Sequence, residues 1–293
     1  MTDLRYRIEY AVVRAVFAGV RLLSIDRAAS ISSFFWRLIA PRTRRHRRAL
    51  ENLAIAFPEK TPEEREAIAL AMWAHLGRVM AETMLIDRLI KQPERIKIVS
   101  ERVFSRYKDK LGPAVGVSLH MGNWELAIWP LTVAGANPAA IFRLVKNPYV
   151  DALLREQRKD LYPGGLFGKG TQEESQRTAR IMTDYVRQGG RLGIVADLHD
   201  RTGLAVPFFG HPAPSVVGPA LIARRVGARI WLARCLRVGN ESRFEIELKE
   251  LRVPRTTNQS QDVRDITAAI QRQFEAWIRE APEQWMWSNR RWS

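Results

Sequence analysis

From residue 112 onward, short apolar runs rich in β-branched residues alternate with stretches of helical periodicity, and nothing else in the chain restricts its fold as strongly. "PAVGVSL" (113–119), "AAIFRLV" (139–145), "RLGIVAD" (191–197), "ARIWLARCLRV" (228–238) and "RFEIELKEL" (243–251) read as strands. Between them "NWELAIWPLTVAG", "PYVDALLREQRKDL", "EESQRTARIMTDYVRQGG" and "SVVGPALIARRVG" read as helices, the last two closing on glycine. Such alternation predicts an α/β core over 112–293, a central mostly parallel or mixed sheet covered by helices.

The first 111 residues lack the alternation and read as an N-terminal helical portion. Residues 1–40 are expected to form amphipathic, membrane-associated helices, and 41–111 a helical portion packed on the core. "TPEE" marks one helix start, with Thr61 as cap, Pro62 in the first turn and Glu64 completing a capping box. His75, inside that helix, reads as packed or solvated rather than as a ligand. Near the N-terminus, Arg7, Arg14 and Arg21 recur every seven residues and form one basic stripe on a helix. Val12, Val13, Val16, Phe17, Val20 and Leu23 take the opposite arc. That pattern suits a helix lying in a membrane interface with its arginines reaching head groups, and equally one packed on the protein's own core. It does not read as a span, because Arg14 and Arg21 would each cost about 2.5–3.5 kcal/mol near a bilayer centre. No secretory signal is expected.

Charge limits the partners. A formal net charge of +16, carried mostly by arginine, calls for an anionic partner: nucleic acid, an anionic membrane surface or an acidic protein. "PRTRRHRRALENL" (41–53) places five arginines beside the apolar "FFWRLIA", which suits a solvated helix face or an anionic-lipid contact. No nucleic-acid-binding motif accompanies the charge, so no nucleic acid partner is expected. The single cysteine, Cys235, excludes an internal disulfide framework, and its strand-like setting reads as a buried thiol.

The candidate chemistry lies in "HMGNWELA" (120–127), where His120 precedes Glu125 by five positions. Spacing alone decides nothing, since His46 and Glu51 share it inside the polybasic segment. On one continuous helix five residues turn through about 140°, and the side chains would not meet. After a strand, with Gly122 for a tight turn and Asn123 as a cap, they can. A neutral imidazole is a general base near pH 7, and a carboxylate on its other nitrogen fixes the tautomer and stabilises the imidazolium. No G-x-S-x-G elbow, HExxH, CxxC, GxxxxGK[ST] or GxGxxG accompanies the pair, so no serine nucleophile, metal, nucleotide or other cofactor is expected. A base without a nucleophile of its own suits direct transfer, in which an activated substrate hydroxyl attacks an acyl donor.

"SLHMGNWELA" resembles the His-x4-Asp/Glu motif of the lysophospholipid and glycerolipid acyltransferase superfamily. Further blocks are similar to one branch, the lipid A biosynthesis (Kdo2-lipid IVA) lauroyl/myristoyl acyltransferases: "RRHRRALENLAIAFPEKTPEEREAIA", "FRLVKNPYVDALLREQR", "GGRLGIVADLHDRTGLAVPFFGHPAP" and "APEQWMWSNRRW". The resemblance spans about 40–292, with the blocks in the family's order. It departs at Asp197-Leu198, where Asp-Gln is usual, and at Asn289-Arg290-Arg291, where His-Arg-Arg is usual. The N-terminus also reads less as a span than the family's single transmembrane helix.

The resemblance implies a glycerolipid-acyltransferase-like fold, acyl carrier protein as thioester donor, with acyl-CoA as the alternative, and a hydroxyl of a lipid A precursor as acceptor. It further implies a place at the cytoplasmic face of the inner membrane, peripheral or held by one N-terminal anchor. Another membrane lipid, such as a lysophospholipid, ornithine lipid or glycolipid, remains the alternative acceptor. His120 would be the general base and Glu125 its orienting partner. Arg158, Asp197, Arg143 and Asn147 would bind substrate, Arg158 clamping an acceptor phosphate or carboxylate and Asp197 holding that arginine. The alternative for Arg158 and Asp197 is a structural ion pair between helix and sheet. His199 and His211 read as loop residues, and Trp285, Trp287 and Trp292 as either membrane anchors or core.

Overall fold

Helices fill the first third of the computed structural model, which describes residues 2–108, 112–169 and 172–292. α1 (Thr2–Arg21), α2 (Ile25–Ile39), α3 (Arg44–Ala56), α4 (Pro62–Met84) and α5 (Ile86–Leu89) precede β1 (Ile96–Ile98) and α6 (Glu101–Lys108). The capping box forms as expected: Glu64 N–H donates to Thr61 and the Glu64 carboxylate accepts from Thr61 N–H. α2 packs against α4 through Ile25, Ala28, Ala29 and Ser33, while α1 lies on α8 and α4.

Then come β2 (Ala114–Ser118), α7 (Trp129–Val133), β3 (Ala139–Arg143), α8 (Pro148–Arg158), β4 (Gly165–Lys169), α9 (Gln172–Arg187) and β5 (Arg191–Val195). The chain continues through β6 (His199–Phe208), β7 (His211–Ser215), α10 (Gly218–Val226), β8 (Arg229–Arg237), β9 (Phe244–Leu251) and α11 (Gln259–Glu280). Seven strands form one sheet in the order β1-β9-β8-β2-β5-β3-β4, parallel at every pairing except β8 with β9. This is the mixed α/β sheet expected from the alternation, with α10 against β2 and β8 and α9 against β4 and β5. β2 sits mid-sheet, mostly buried, as its near-continuous apolar run requires.

Several elements differ from the sequence reading. β1 and β4 are strands it did not assign, and β1, from the stretch read as helical, pairs with β9 in the sheet. His199 and His211 begin β6 and β7 instead of lying in loops, because "AVPFFGHPAP" turns tightly at Phe209-Gly210 and pairs antiparallel with itself. The helix expected from Asn123 begins as a 3-10 turn, Trp124–Ile128, before α7. Trp285, Trp287 and Trp292 are buried in the main core, so packing wins over anchoring. Cys235 is a buried free thiol in β8.

Candidate active site

His120 follows β2 and Asp197 follows β5, neighbouring parallel strands, so both arrive at the same carboxyl edge of the sheet. In open α/β sheets this edge is where ligands bind. His120 Nδ1 lies 2.8 Å from Asp197 Oδ1, and the backbone N–H of His120 donates to Asp197 Oδ2 at 3.0 Å. Trp285 Nε1–H donates to the same oxygen at 2.7 Å. Asp197 is fully buried, and these donors with His120's charge hold its carboxyl below the usual carboxylate range although burial pushes the other way. An ionised carboxylate only accepts, so the His120 proton sits on Nδ1 and Nε2 is the basic nitrogen. No described residue bonds Nε2, and the Trp124 ring packs 5.2 Å from the imidazole. Burial works against the imidazolium, but the Asp197 carboxylate, by charge and hydrogen bond, and the nearby Glu125 charge outweigh it. The net effect raises His120 above its ordinary 6.5.

Glu125 does not take the His120 ring nitrogen. The 3-10 turn carries it to Arg158 at the end of α8, which grips it with both arms: Nε to Oε2 at 3.0 Å and Nη2 to Oε1 at 2.7 Å. Both side chains are largely buried, and burial, which disfavours the guanidinium, is outweighed by Glu125 so that Arg158 is raised. The expected partners are therefore exchanged: Asp197 holds the histidine, and Arg158 holds Glu125. Tyr162 lies against this pair, its hydroxyl driven upward by burial and by Glu125.

The turn between His120 and Glu125 is fastened to three other parts of the chain. Gly122 has φ +57°, and a Cβ there would sit 1.6 Å from the Cys235 carbonyl oxygen, so only glycine fits. Gly122 N–H donates to Gln284 O, Asn123 N–H to Cys235 O, and Met286 N–H to His120 O. Asn123 Nδ2 donates to Glu82 Oε2 at 3.1 Å, and the fully buried Glu82 also accepts from Arg237 Nη2 at 2.7 Å and Ser242 Oγ at 2.6 Å. Asn52, from α3, donates to Trp287 O and Asn289 O and so pins the C-terminal segment that carries Trp285. Segments far apart in sequence thus converge on one histidine.

The family model for bacterial lipid A biosynthesis acyltransferases matches residues 1–293. The chain belongs to that family. No curated protein matches it.

In this lipid A acyltransferase, the remaining candidates fall at different distances from the histidine. Arg143 ends β3 on the carboxyl edge, and its side chain lies outside what the structure describes. Asn147 caps α8, its Oδ1 accepting from Tyr149 N–H and Val150 N–H, and its Nδ2 donates to Tyr6 O and Glu9 on α1. Its amide is thereby committed to α1 and α8. His46, which shares the five-residue spacing with Glu51, accepts from Trp73 Nε1–H on Nδ1 and faces Glu66 from Nε2, so it is part of a helix–helix contact. His75 is buried, and burial with the Arg237 charge pushes it down to about 3, so it is neutral.

Three residues around the candidate site were not singled out from the sequence: Trp285 as the Asp197 donor, Glu82, and Arg291. Arg291 is buried, donates to Pro214 O, Ser215 Oγ and Gln271 Oε1, and is pushed down to about 10 by burial. The one local signal was Glu82, an acid interrupting the apolar face of α4. Among the described residues no cluster of three His, Cys, Asp or Glu could hold a metal ion.

Proposed function

We propose that this acyltransferase moves a fatty acyl chain from an acyl carrier protein thioester directly to a hydroxyl of a lipid A precursor, without a covalent enzyme intermediate. His120 Nε2 takes the proton of the acceptor hydroxyl as its oxygen attacks the thioester carbonyl. The tetrahedral intermediate collapses by breaking the C–S bond, and the proton passes from His120 to the departing sulfur, leaving an ester and a free carrier thiol. The observation that carries this reading is the His120–Asp197 hydrogen bond, which fixes the tautomer and leaves Nε2 unpartnered among the described residues at the sheet's carboxyl edge. Asp197 and Glu125 both favour the imidazolium that forms. Arg158 holds Glu125 in place, and Arg143, ending β3 on the same edge, is the candidate contact for an acceptor phosphate.

The same reading places the enzyme on the cytoplasmic face of the inner membrane as a peripheral protein. Among the described residues no helix is long and apolar enough to cross a membrane. α1 turns Val13, Phe17 and Val20 inward and leaves a second stripe, Leu4, Ile8, Val12 and Val16, exposed. α2 exposes Ile31, Phe34, Phe35, Leu38 and Ile39 at helical spacing, followed at once by the exposed Arg42, Arg44, Arg45 and Arg47. Apolar stripes beside arginines suit an interface of acyl chains and anionic head groups. The +16 charge also attracts an acidic carrier protein and a phosphorylated acceptor.

Mass spectrometry of lipid A from cells lacking the gene tests the substrate assignment. Loss of one secondary acyl chain is expected. Unchanged lipid A in a strain without a second enzyme of this kind would reassign the acceptor to another membrane lipid.

A further inference from the structure

The two faces of the sheet are covered by different parts of the chain. Met182 and Val186 of α9 and Ile222 and Ala223 of α10 share one core with Val115 and Leu192 of the sheet. Ile128 and Leu131 belong to a second core, which also takes in Ile25 of α2 and, at its margin, Val20 of α1. The α1 stripe assigned above to the lipid surface therefore lies on one side of the sheet, and α9 and α10 on the other.

A groove remains between α9 and α10. Arg180 and Arg187 line it from α9, and Leu221, Arg224 and Arg225 from α10. Two of these arginines are committed within the protein: Arg187 pairs with Asp184, and Arg224 with Asp262 at 2.6 Å and with the Thr256 carbonyl. Arg180 and Arg225 are exposed, and neither pairs with a described carboxylate. Apolar surface adjoins both. Leu221, one turn before Arg225, is 43% exposed, and Ile181, next to Arg180, is 42% exposed. Exposed apolar side chains edged by unpaired guanidiniums have the composition of a protein interface, in which arginine is enriched around an apolar centre.

The topology ties this groove to the catalytic edge. α9 leads into the start of β5 and α10 into the start of β8, both strands parallel to β2, so each helix runs back from the carboxyl edge. Gly218, which begins α10 and lines the groove, is the end turned toward the edge that carries His120 and Asp197. An occupant must be anionic to meet Arg180 and Arg225 and large enough to span two helices. It must also approach from the side of the sheet away from the α1 stripe, which a lipid head group does not do. We infer that the α9–α10 groove docks the acyl carrier protein, its acidic side chains on Arg180 and Arg225 and an apolar one against Leu221 and Ile181. The donor's flexible arm then passes over the carboxyl edge to bring the thioester to His120, while the acceptor arrives from the lipid side. This inference rests on the carrier-protein reading of the donor and adds where that donor sits.

Initial rates of the full-length enzyme, measured against the concentration of the acyl carrier protein thioester it transfers fastest, test the site. Arg180→Glu with Arg225→Glu is expected to raise KM for the carrier thioester about tenfold or more, with kcat changed less than about twofold, because like charges would now face each other across the contact. Arg102→Glu with Arg272→Glu makes the same change of charge at exposed arginines elsewhere and is expected to leave KM within about twofold. Should the first variant not fold, Leu221→Ser is expected to raise KM in the same direction. An unchanged KM in folded variants overturns the docking site and leaves the carrier protein standing as donor. An equal rise in both charge variants also overturns it, since net charge alone would then steer the carrier. Weakened binding to anionic vesicles with an unchanged KM would assign the groove to lipid instead. A wild type that transfers from acyl-CoA but not from the carrier thioester overturns the donor reading itself, and the docking site with it.

Discussion

Asp197 accepts from His120 Nδ1, the His120 backbone and Trp285, and so is the carboxylate that holds the proposed base. Asp197→Asn would place an amide where the ring nitrogen needs an acceptor and permit the wrong tautomer. Transfer is expected to fall by about 10³–10⁴-fold. The pH dependence gives a second reading. As the proposed base His120 must be unprotonated, and its surroundings raise it above its ordinary 6.5, so the wild-type rate should decline as pH drops through that raised value. In Asp197→Asn the largest favourable influence is gone and burial remains, so any residual activity should keep its acid limb at lower pH than wild type. A rate profile across pH 5 to 9 checks both; an unmoved limb would mean that Asp197 does not set the histidine's basicity. At this scale the sequence disclosed which residues gather at the candidate site better than it disclosed their pairing. His120 and Glu125 stand out through the strand and turn around them. Asp197 enters from 77 residues away, and which carboxylate meets the ring depends on where the 3-10 turn and α8 deliver Glu125 and Arg158.

The turn itself is held by elements whose partnership is tertiary. Gly122→Ala would force a methyl into the Cys235 carbonyl at positive φ, and the turn must move. A loss of about 3 kcal/mol or more in urea-unfolding stability is expected, together with lost transfer. Glu82→Ala would strand Arg237, buried and otherwise paired to that carboxylate, at a cost of about 3–5 kcal/mol. Thermal unfolding would show it, and a wild-type melting point would refute the role of Glu82 as the anchor of Asn123. The strands flanking these turns were legible because apolar, β-branched runs such as "PAVGVSL" have little alternative in an α/β chain. β4 was not, since "GLFGK" is short and glycine-rich, and the β6–β7 hairpin was hidden by its prolines, Pro207, Pro212 and Pro214. No helix was assigned from the sequence at α11, although it packs Phe274 and Trp277 into the core.

Over the whole molecule, the exposed apolar stripes of α1 and α2 and the arginines after them share the N-terminal region, and Asn147 ties α1 to the helix that ends in Arg158. The sequence could not choose between core packing and a membrane interface for α1, because the helix has an apolar stripe for each. Sedimentation with anionic phospholipid vesicles tests the outward stripe. Val12→Asp with Phe35→Asp is expected to weaken vesicle binding at least tenfold, and raised salt to weaken the wild type. Binding unaffected by either would remove the membrane role of these helices. The central claim is that His120 carries the proton from acceptor to leaving sulfur, and single-turnover transfer from a purified acyl carrier protein thioester to a lipid A precursor measures it directly. Folded His120→Ala is expected to transfer at least a thousandfold more slowly than wild type. A rate within a few-fold of wild type would contradict the mechanism.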